Sequence, residues 1–283
     1  MPVAVLSVQG LCKQYPQFAL RDVSFSLDQG RIMGFIGRNG AGKTTTLKSL
    51  LNFVHPDRGE ISFFGMPLQG NEREIKRRIG FVSGGVDYYG KKKLRVISQV
   101  TSALYPNWDE QAYRRYLDRF QLNEDKTPSQ LSAGMRVKYA LALALSHRAE
   151  LLILDEPTSG LDPVSRDDLL DELLTLADEG ASILFSTHIT SDLEKCADDI
   201  TYIQAGRIRA SESLESFSSR WVTLQFSGPI PPETQPLLIG CKRAKNGFTA
   251  LMERVEAEKR GLGGSLATLE EIMVHWEKER EDQ

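Results

Sequence analysis

The chain has 283 residues, 41% of them hydrophobic and 26% charged, with a formal net charge of −3. That balance suits a globular protein with one large domain and a small appendage, and it excludes a global basic field that would draw the chain to nucleic acid or anionic lipid. Three cysteines, Cys12, Cys196 and Cys241, are too few and too far apart for a disulfide framework.

Residues 1–11 lack a basic segment ahead of a long apolar core, so no signal peptide is expected. Residues 3–8 and 23–27 are apolar-rich and bounded by turn residues, which predicts strands. Residues 31–36 form a third strand that runs into a glycine-rich turn at Gly37. A helix follows over 43–52 and ends near His55-Pro56-Asp57. Residues 61–64 are a further short strand. From about 86 to 130 the pattern becomes polar and helix-prone, with a helix over 109–120; a turn at 131–134 and a long apolar helix over 135–146 follow. The apolar stretch 139–154 is broken by His147, Arg148 and Glu150, and no run reaches the ~18 residues a bilayer requires.

Residues 151–154 are the continuous apolar strand of a sheet buried on both faces. Asp162-Pro163 predicts an N-cap followed by proline at the first helical position. Leu169, Leu170, Leu173, Leu174 and Ala177 carry helical spacing, and Gly180 closes that helix before a strand over 181–187. Strands alternating with helices predict a parallel sheet covered on its faces. Residues 212–283 read as a small α+β accessory domain. It contains a strand over 221–226, a proline-rich loop over 229–236, and a last helix with a Thr268/Glu271 capping box. Leu269, Ile272, Met273 and Trp276 make an apolar stripe on that helix, with Trp276 expected in the core or at a dimer contact.

Gly37-Arg38-Asn39-Gly40-Ala41-Gly42-Lys43-Thr44 matches the P-loop pattern between a strand and a helix. The glycines let the backbone wrap phosphates with its N–H groups inward, and the helix N-terminus adds a favourable dipole. Lys43 suits the β- and γ-phosphates, and the Thr44 hydroxyl suits Mg²⁺. Thr45 extends the same cradle. Strand 151–154 ends in Asp155 and Glu156, one carboxylate for Mg²⁺ and one to polarise water. His188 also follows a strand directly. ATP and Mg²⁺ are therefore the expected ligands.

With these motifs in order, the chain resembles ATP-binding cassette (ABC) transporter ATPases over residues 3–210. Leu131-Ser132-Ala133-Gly134-Met135 resembles the signature loop, Ser159-Gly160-Leu161-Asp162 the D-loop, and Ser186-Thr187-His188 the switch-histidine motif. Tyr15 occupies the place of the aromatic that stacks on adenine. The resemblance implies a cassette in residues 1–211, with a parallel β core, an antiparallel β subdomain and a helical subdomain at about 86–147. It implies two cassettes, as homodimer or heterodimer, with each ATP between one P-loop and the partner's Ser132 and Gly134. It also implies a polytopic membrane subunit, so that the chain is peripheral at the cytoplasmic face of the membrane and exports peptides or drugs. A soluble or regulatory cassette is the alternative, and no nucleic-acid partner is expected.

Three positions depart from the family. Ala133 and Met135 replace Gly and Gln, and Gly84 stands where relatives carry Gln or Glu that touches Mg²⁺ and the attacking water. Water, a nearby group such as Asp87, or slow hydrolysis answers that loss; hydrolysis that depends on the partner is the favoured reading. The run Lys91-Lys92-Lys93 with Arg95 is a solvated face or a contact for a partner or anionic lipid. The aromatic turn 105–109 packs the subdomain or walls a groove for the membrane subunit. His55, His147 and His275 lack metal-ligand spacing and are expected at the surface or at helix ends.

Overall fold

The computed structural model describes residues 4–83, 89–228 and 230–281. Strands β1 (Ala4–Gln14) and β2 (Ala19–Asp28) open the chain as an antiparallel pair. In β2 buried Val23, Phe25 and Leu27 alternate with exposed Ser24 and Ser26, so one face looks to the core and one to solvent. β3 (Ile32–Ile36) is buried at every position, as a central strand must be. It feeds α1 (Lys43–Leu50) through the glycine-rich turn. That helix stops two residues before the expected end because Asn52 turns left-handed, φ 59°, a conformation asparagine tolerates at helix ends.

β4 (Arg58–Phe63) and β5 (Met66–Pro67) join β1 and β2 in a four-stranded antiparallel sheet, order β2-β1-β4-β5. The kinked α2 (Leu68–Arg77) leads to β6 (Ile79–Ser83). Three helices follow: α3 (Leu94–Leu104), α4 (Glu110–Arg119) and α5 (Ala133–Ser146). β7 (Leu151–Asp155), α6 (Pro163–Asp178), β8 (Ser182–Thr187), α7 (Thr190–Cys196), β9 (Asp199–Gln204) and β10 (Arg207–Ser213) complete this part. The second sheet has the order β10-β9-β3-β8-β7-β6, and from β9 to β6 every neighbouring pair is parallel. A hydrophobic core lies between the two sheets, where Val8, Phe25 and Phe63 of the first meet Phe35, Ile153 and Leu184 of the second.

The remaining elements are α8 (Leu214–Ser219), β11 (Trp221–Phe226), β12 (Ile239–Ala244), β13 (Gly247–Glu253), α9 (Arg254–Lys259), β14 (Ser265–Leu266) and α10 (Leu269–Glu281). Their sheet is antiparallel, order β12-β13-β11-β14. Trp276 of α10 meets Phe217 and Trp221 edge-on, at 5.4 and 5.6 Å, so it is a core residue. The capping box is present: Thr268 Oγ1 accepts from Glu271 N, and Glu271 Oε2 accepts from Thr268 N.

The chain forms two compact units. One holds the chain up to His188 together with Lys195–Ser211; the other holds Ile189–Glu194 and the chain from Glu212 onward. The six residues after His188 thus associate with the C-terminal part, where Glu194 Oε1 accepts from Leu269 N at 2.7 Å and helps to cap α10. Two histidines correct the surface expectation. His147 does end α5, but it is buried and stacks on Tyr105 at 3.9 Å, and its ring meets the Arg77 carbonyl. His275 lies inside α10, buried against β12, with its Nδ1 on the Gly240 carbonyl. His55 is exposed and meets Asn52.

Candidate functional site

The turn after β3 has the shape its glycines permit. A Cβ at Gly37 would fall 2.3 Å from the Ile203 carbonyl oxygen. Gly42 has φ 119°, and a Cβ there would meet Leu20 Cδ2 at 2.7 Å. Arg38, Asn39 and Gly40 are exposed, whereas Ala41 and Gly42 are buried. No side chain caps the start of α1, so its first N–H groups are open to an anion. Thr44 is exposed and Thr45 half-buried in that first turn.

Lys43 is buried, and its Nζ donates to the Gly37 carbonyl at 2.7 Å. The same ammonium faces Glu156 Oε1 at 3.4 Å. Glu156 follows β7 and adopts φ 50°, a conformation uncommon outside glycine and asparagine. Its N–H donates to the Ser186 carbonyl at 2.9 Å, which ties the end of β7 to β8. The second carboxylate oxygen of Glu156 meets His188 Nδ1 at 2.8 Å. One carboxylate is therefore held between two nitrogen groups from the ends of two other segments.

Asp155 ends β7 beside this cluster. Burial pushes its carboxyl above the usual carboxylate range; the nearby Ser186 side chain and the Lys43 charge oppose that rise, and the Glu156 charge adds to it. Its Oδ1 is buried and has no hydrogen-bond partner among the described residues. A buried orphan carboxylate oxygen at the edge that holds Lys43 is a fitting place for a hard cation. Thr44 supplies a second oxygen donor by residue type. No group of three His, Cys, Asp or Glu among the described residues could hold a metal ion alone, so such an ion would need oxygens from its substrate.

The other sequence-predicted residues lie apart from this cluster. Ser132 is exposed and caps α5, its hydroxyl accepting from Met135 N at 3.2 Å. Gly134 packs near Ser165 and Leu161, with ordinary room for a Cβ at 3.5 Å. No hydrogen bond among the described residues joins Ser132 or Gly134 to the P-loop group. Asp162 is the N-cap of α6 and accepts from Val164 N and Ser165 N, at 3.1 and 3.0 Å. The Ser165 side chain foremost, and then these backbone bonds, hold its carboxyl below the usual range. Tyr15 is 36% exposed after β1, with Lys13 Nζ 6.0 Å from its ring. Gly84 and Asp87 lie outside the described residues.

Tyr105 of the aromatic turn lines a groove of ≈ 350 Å³ whose other walls, among them Phe53, Lys76, Phe81, Arg136 and His147, were not foreseen. Phe53 is 65% exposed, with Lys76 Nζ 5.2 Å from its ring. Only Tyr105, in its aromatic turn, carried a signal in the sequence; the other residues come from four distant segments.

A family model described as "ABC transporter" matches residues 20–159. The Nod factor export ATP-binding protein I of Burkholderia orbicola (strain AU 1054) is 34% identical, over 73% of this chain and 70% of that protein. The bacitracin transport ATP-binding protein BcrA of Bacillus licheniformis is also 34% identical, over 72% and 68%. Among solved structures, an ATP-binding subunit of an ABC transporter superimposes with a TM-score of 0.68 at 30% identity, over 75% of this chain and 91% of that one. The ADP form of the cassette MJ1267 superimposes at 0.67 with 20% identity, over 75% and 92%, which supports the fold.

Proposed function

Since this chain belongs to the ATP-binding subunits of ABC transporters, which are ATPases, we propose that it powers an exporter and hydrolyses ATP at composite sites between two cassettes. The observation that carries this reading is the convergence of Lys43, Glu156 and His188 beside the orphan oxygen of Asp155. The P-loop from Gly37 to Thr45 cradles the phosphates through backbone N–H groups, and Lys43 binds the β- and γ-phosphates. Thr44 and Asp155 would hold Mg²⁺, which would neutralise phosphate charge when bound. Tyr15 offers its face to adenine.

In the resting arrangement Lys43 and His188 both contact Glu156. A γ-phosphate competes for the same two groups, because it carries more charge than one carboxylate. Its arrival releases Glu156 to accept a proton from water. His188 then holds the γ-phosphate side. The partner cassette brings Ser132 and the N–H groups near Gly134 to the opposite side, with Asp162 placing the adjoining loop. Gly134 supports this reading: a helical glycine costs about 1 kcal/mol against alanine, and packing within this chain does not require it.

The export direction rests on relatives named for Nod factor export and bacitracin transport. The cargo class we propose is a peptide or drug. The groove under Phe53 and Tyr105 offers apolar walls with cationic Lys76 and Arg136, which suits a segment of a membrane subunit. No helix among the described residues is long and apolar enough to cross a membrane. The chain would then be peripheral at the cytoplasmic face through that subunit.

Glu156→Gln tests the chemistry. ATP binding is expected to persist, turnover to fall at least 10²-fold, and an ATP-bound dimer to accumulate in sedimentation. Wild-type turnover in this variant would remove Glu156 from the reaction.

A further inference from the structure

Helix α3 is apolar on two sides. Its inner side holds Leu94 and Ser98, both buried, and the Ser98 hydroxyl meets the hydroxyls of Tyr113 and Tyr139 at 2.5 and 2.8 Å. Its outer side carries Val96, Val100 and Leu104, which are 41%, 59% and 70% exposed. Spaced at i, i+4 and i+8, these three form one stripe about 12 Å long. Arg95 is the only charged residue in the helix, and it pairs with Asp125 at 2.6 Å. A surface helix normally turns a polar face to water; one that shows aliphatic side chains instead has something to cover them.

The residues before the helix indicate what covers it. Tyr89 is 70% exposed, and Lys91 and Lys92 are exposed with no ion pair among the described residues. Lys93 shares Asp125 with Arg95. Among the described residues here, four cations thus stand against one carboxylate, on a chain whose net charge is negative. An aromatic ring, a basic cluster and an aliphatic stripe, in that order, make up a segment that lies in the headgroup layer of a bilayer. The stripe is convex and belongs to a single helix, a shape that fits a deformable surface better than it fits a partner helix needing a groove.

We propose that the outer face of α3, with Tyr89, Lys91 and Lys92, contacts anionic lipid at the membrane surface. This adds a direct lipid contact to the partner-mediated attachment, and it rests on the reading of the chain as a membrane-associated subunit. The lysines meet lipid phosphates, and Val96, Val100 and Leu104 enter the acyl boundary.

The test is co-sedimentation of the full chain with vesicles of phosphatidylcholine alone or with one quarter phosphatidylglycerol. Binding to the anionic vesicles is expected, about tenfold or more above the neutral ones, and falling with added salt. The double variant K91E/K92E should lose it about tenfold or more. The variant V100S/L104S should weaken it severalfold with the lysines intact. Both variants should keep wild-type ATPase activity and ATP-dependent dimerisation. Equal binding to both vesicle types, no binding, or variants that bind like wild type would overturn the proposal. Variants that bind vesicles normally but fail to co-purify with a co-expressed membrane subunit would assign this face to protein and also overturn it. Loss of ATP-dependent dimerisation in the wild-type chain, by contrast, would count against the cassette reading and leave the vesicle result standing.

Discussion

The starts of α1 and α5 are both helix N-termini preceded by a short loop, yet they are built for different tasks. At α1 no side chain caps the helix, glycines are demanded by contacts of 2.3 and 2.7 Å, and a buried lysine faces a carboxylate. At α5 the exposed Ser132 caps the helix itself, and Gly134 has room for a methyl group. The first is organised by its own chain and carries all the charged chemistry. The second offers only a hydroxyl and N–H groups and is unexplained by its own surroundings. The difference is the one the proposed head-to-tail pairing would require, with the α5 start completing a site on a second cassette.

The strongest way to break this comparison is at Lys43. Lys43→Ala should weaken ATP binding by roughly 10²-fold in equilibrium titration, because a charge-assisted contact to phosphate is lost. Ordinary binding by this variant would mean that the α1 start is no phosphate cradle.

The second test separates capping from closure. Aspartate caps a helix as well as serine does, so Ser132→Asp should leave the melting temperature unchanged. It would also set a negative charge against the partner's γ-phosphate. Monomer affinity for ATP should stay within about twofold, while the ATP-driven dimer disappears from sedimentation profiles. A variant that dimerises normally would break the head-to-tail model.

A pair of alanine substitutions sharpens the contrast further. Gly42→Ala should destabilise by about 1–3 kcal/mol, since φ 119° and the contact with Leu20 both oppose a Cβ. Gly134→Ala should raise stability by up to about 1 kcal/mol, yet lower ATP turnover several-fold if a partner's nucleotide approaches there. Chemical denaturation and steady-state hydrolysis read the two effects separately. Equal destabilisation by both would erase the distinction between the two loops.

The smallest effect concerns His147 at the far end of α5. Burial holds its imidazole below the ordinary value of 6.5, and the bond to the Arg77 carbonyl only partly opposes this. A depressed folded pKa means that the neutral ring contributes stability above about 6.5, and that this is lost as pH falls below it. His147→Phe keeps a ring against Tyr105 and cannot take up a proton. The drop in melting temperature between pH 7.5 and 5.5 should therefore be smaller in the variant than in the wild type.

Much of the cassette was legible in the residues. The run at 151–154 reads as a strand buried on both faces and is one, and Asp162-Pro163 starts a helix as its N-cap chemistry requires. The hairpin of β12 and β13 was not foreseen, because residues 239–253 mix charges, glycines and single apolar residues without a clean period of two. The burial of His147, which does end its helix, and of His275 was not foreseen for a related reason. Burial of a polar ring depends on which carbonyl waits opposite it, and both carbonyls, of Arg77 and Gly240, are far away in sequence.

By itself the sequence determined the identity of the phosphate loop, the two carboxylates after a buried strand, and the histidine after another. Each is a local pattern whose chemistry is set by residue type and by the strand or helix beside it. Only the tertiary structure decided that Lys43, Glu156 and His188 touch, that the six residues after His188 go with the C-terminal unit, and that a groove opens beneath Phe53 and Tyr105. The first of these depends on the strand order β3-β8-β7, which is not written in any single segment. Parallel strands deliver their carboxyl ends to one edge of a sheet, so residues more than thirty or a hundred positions apart meet there once that order is set.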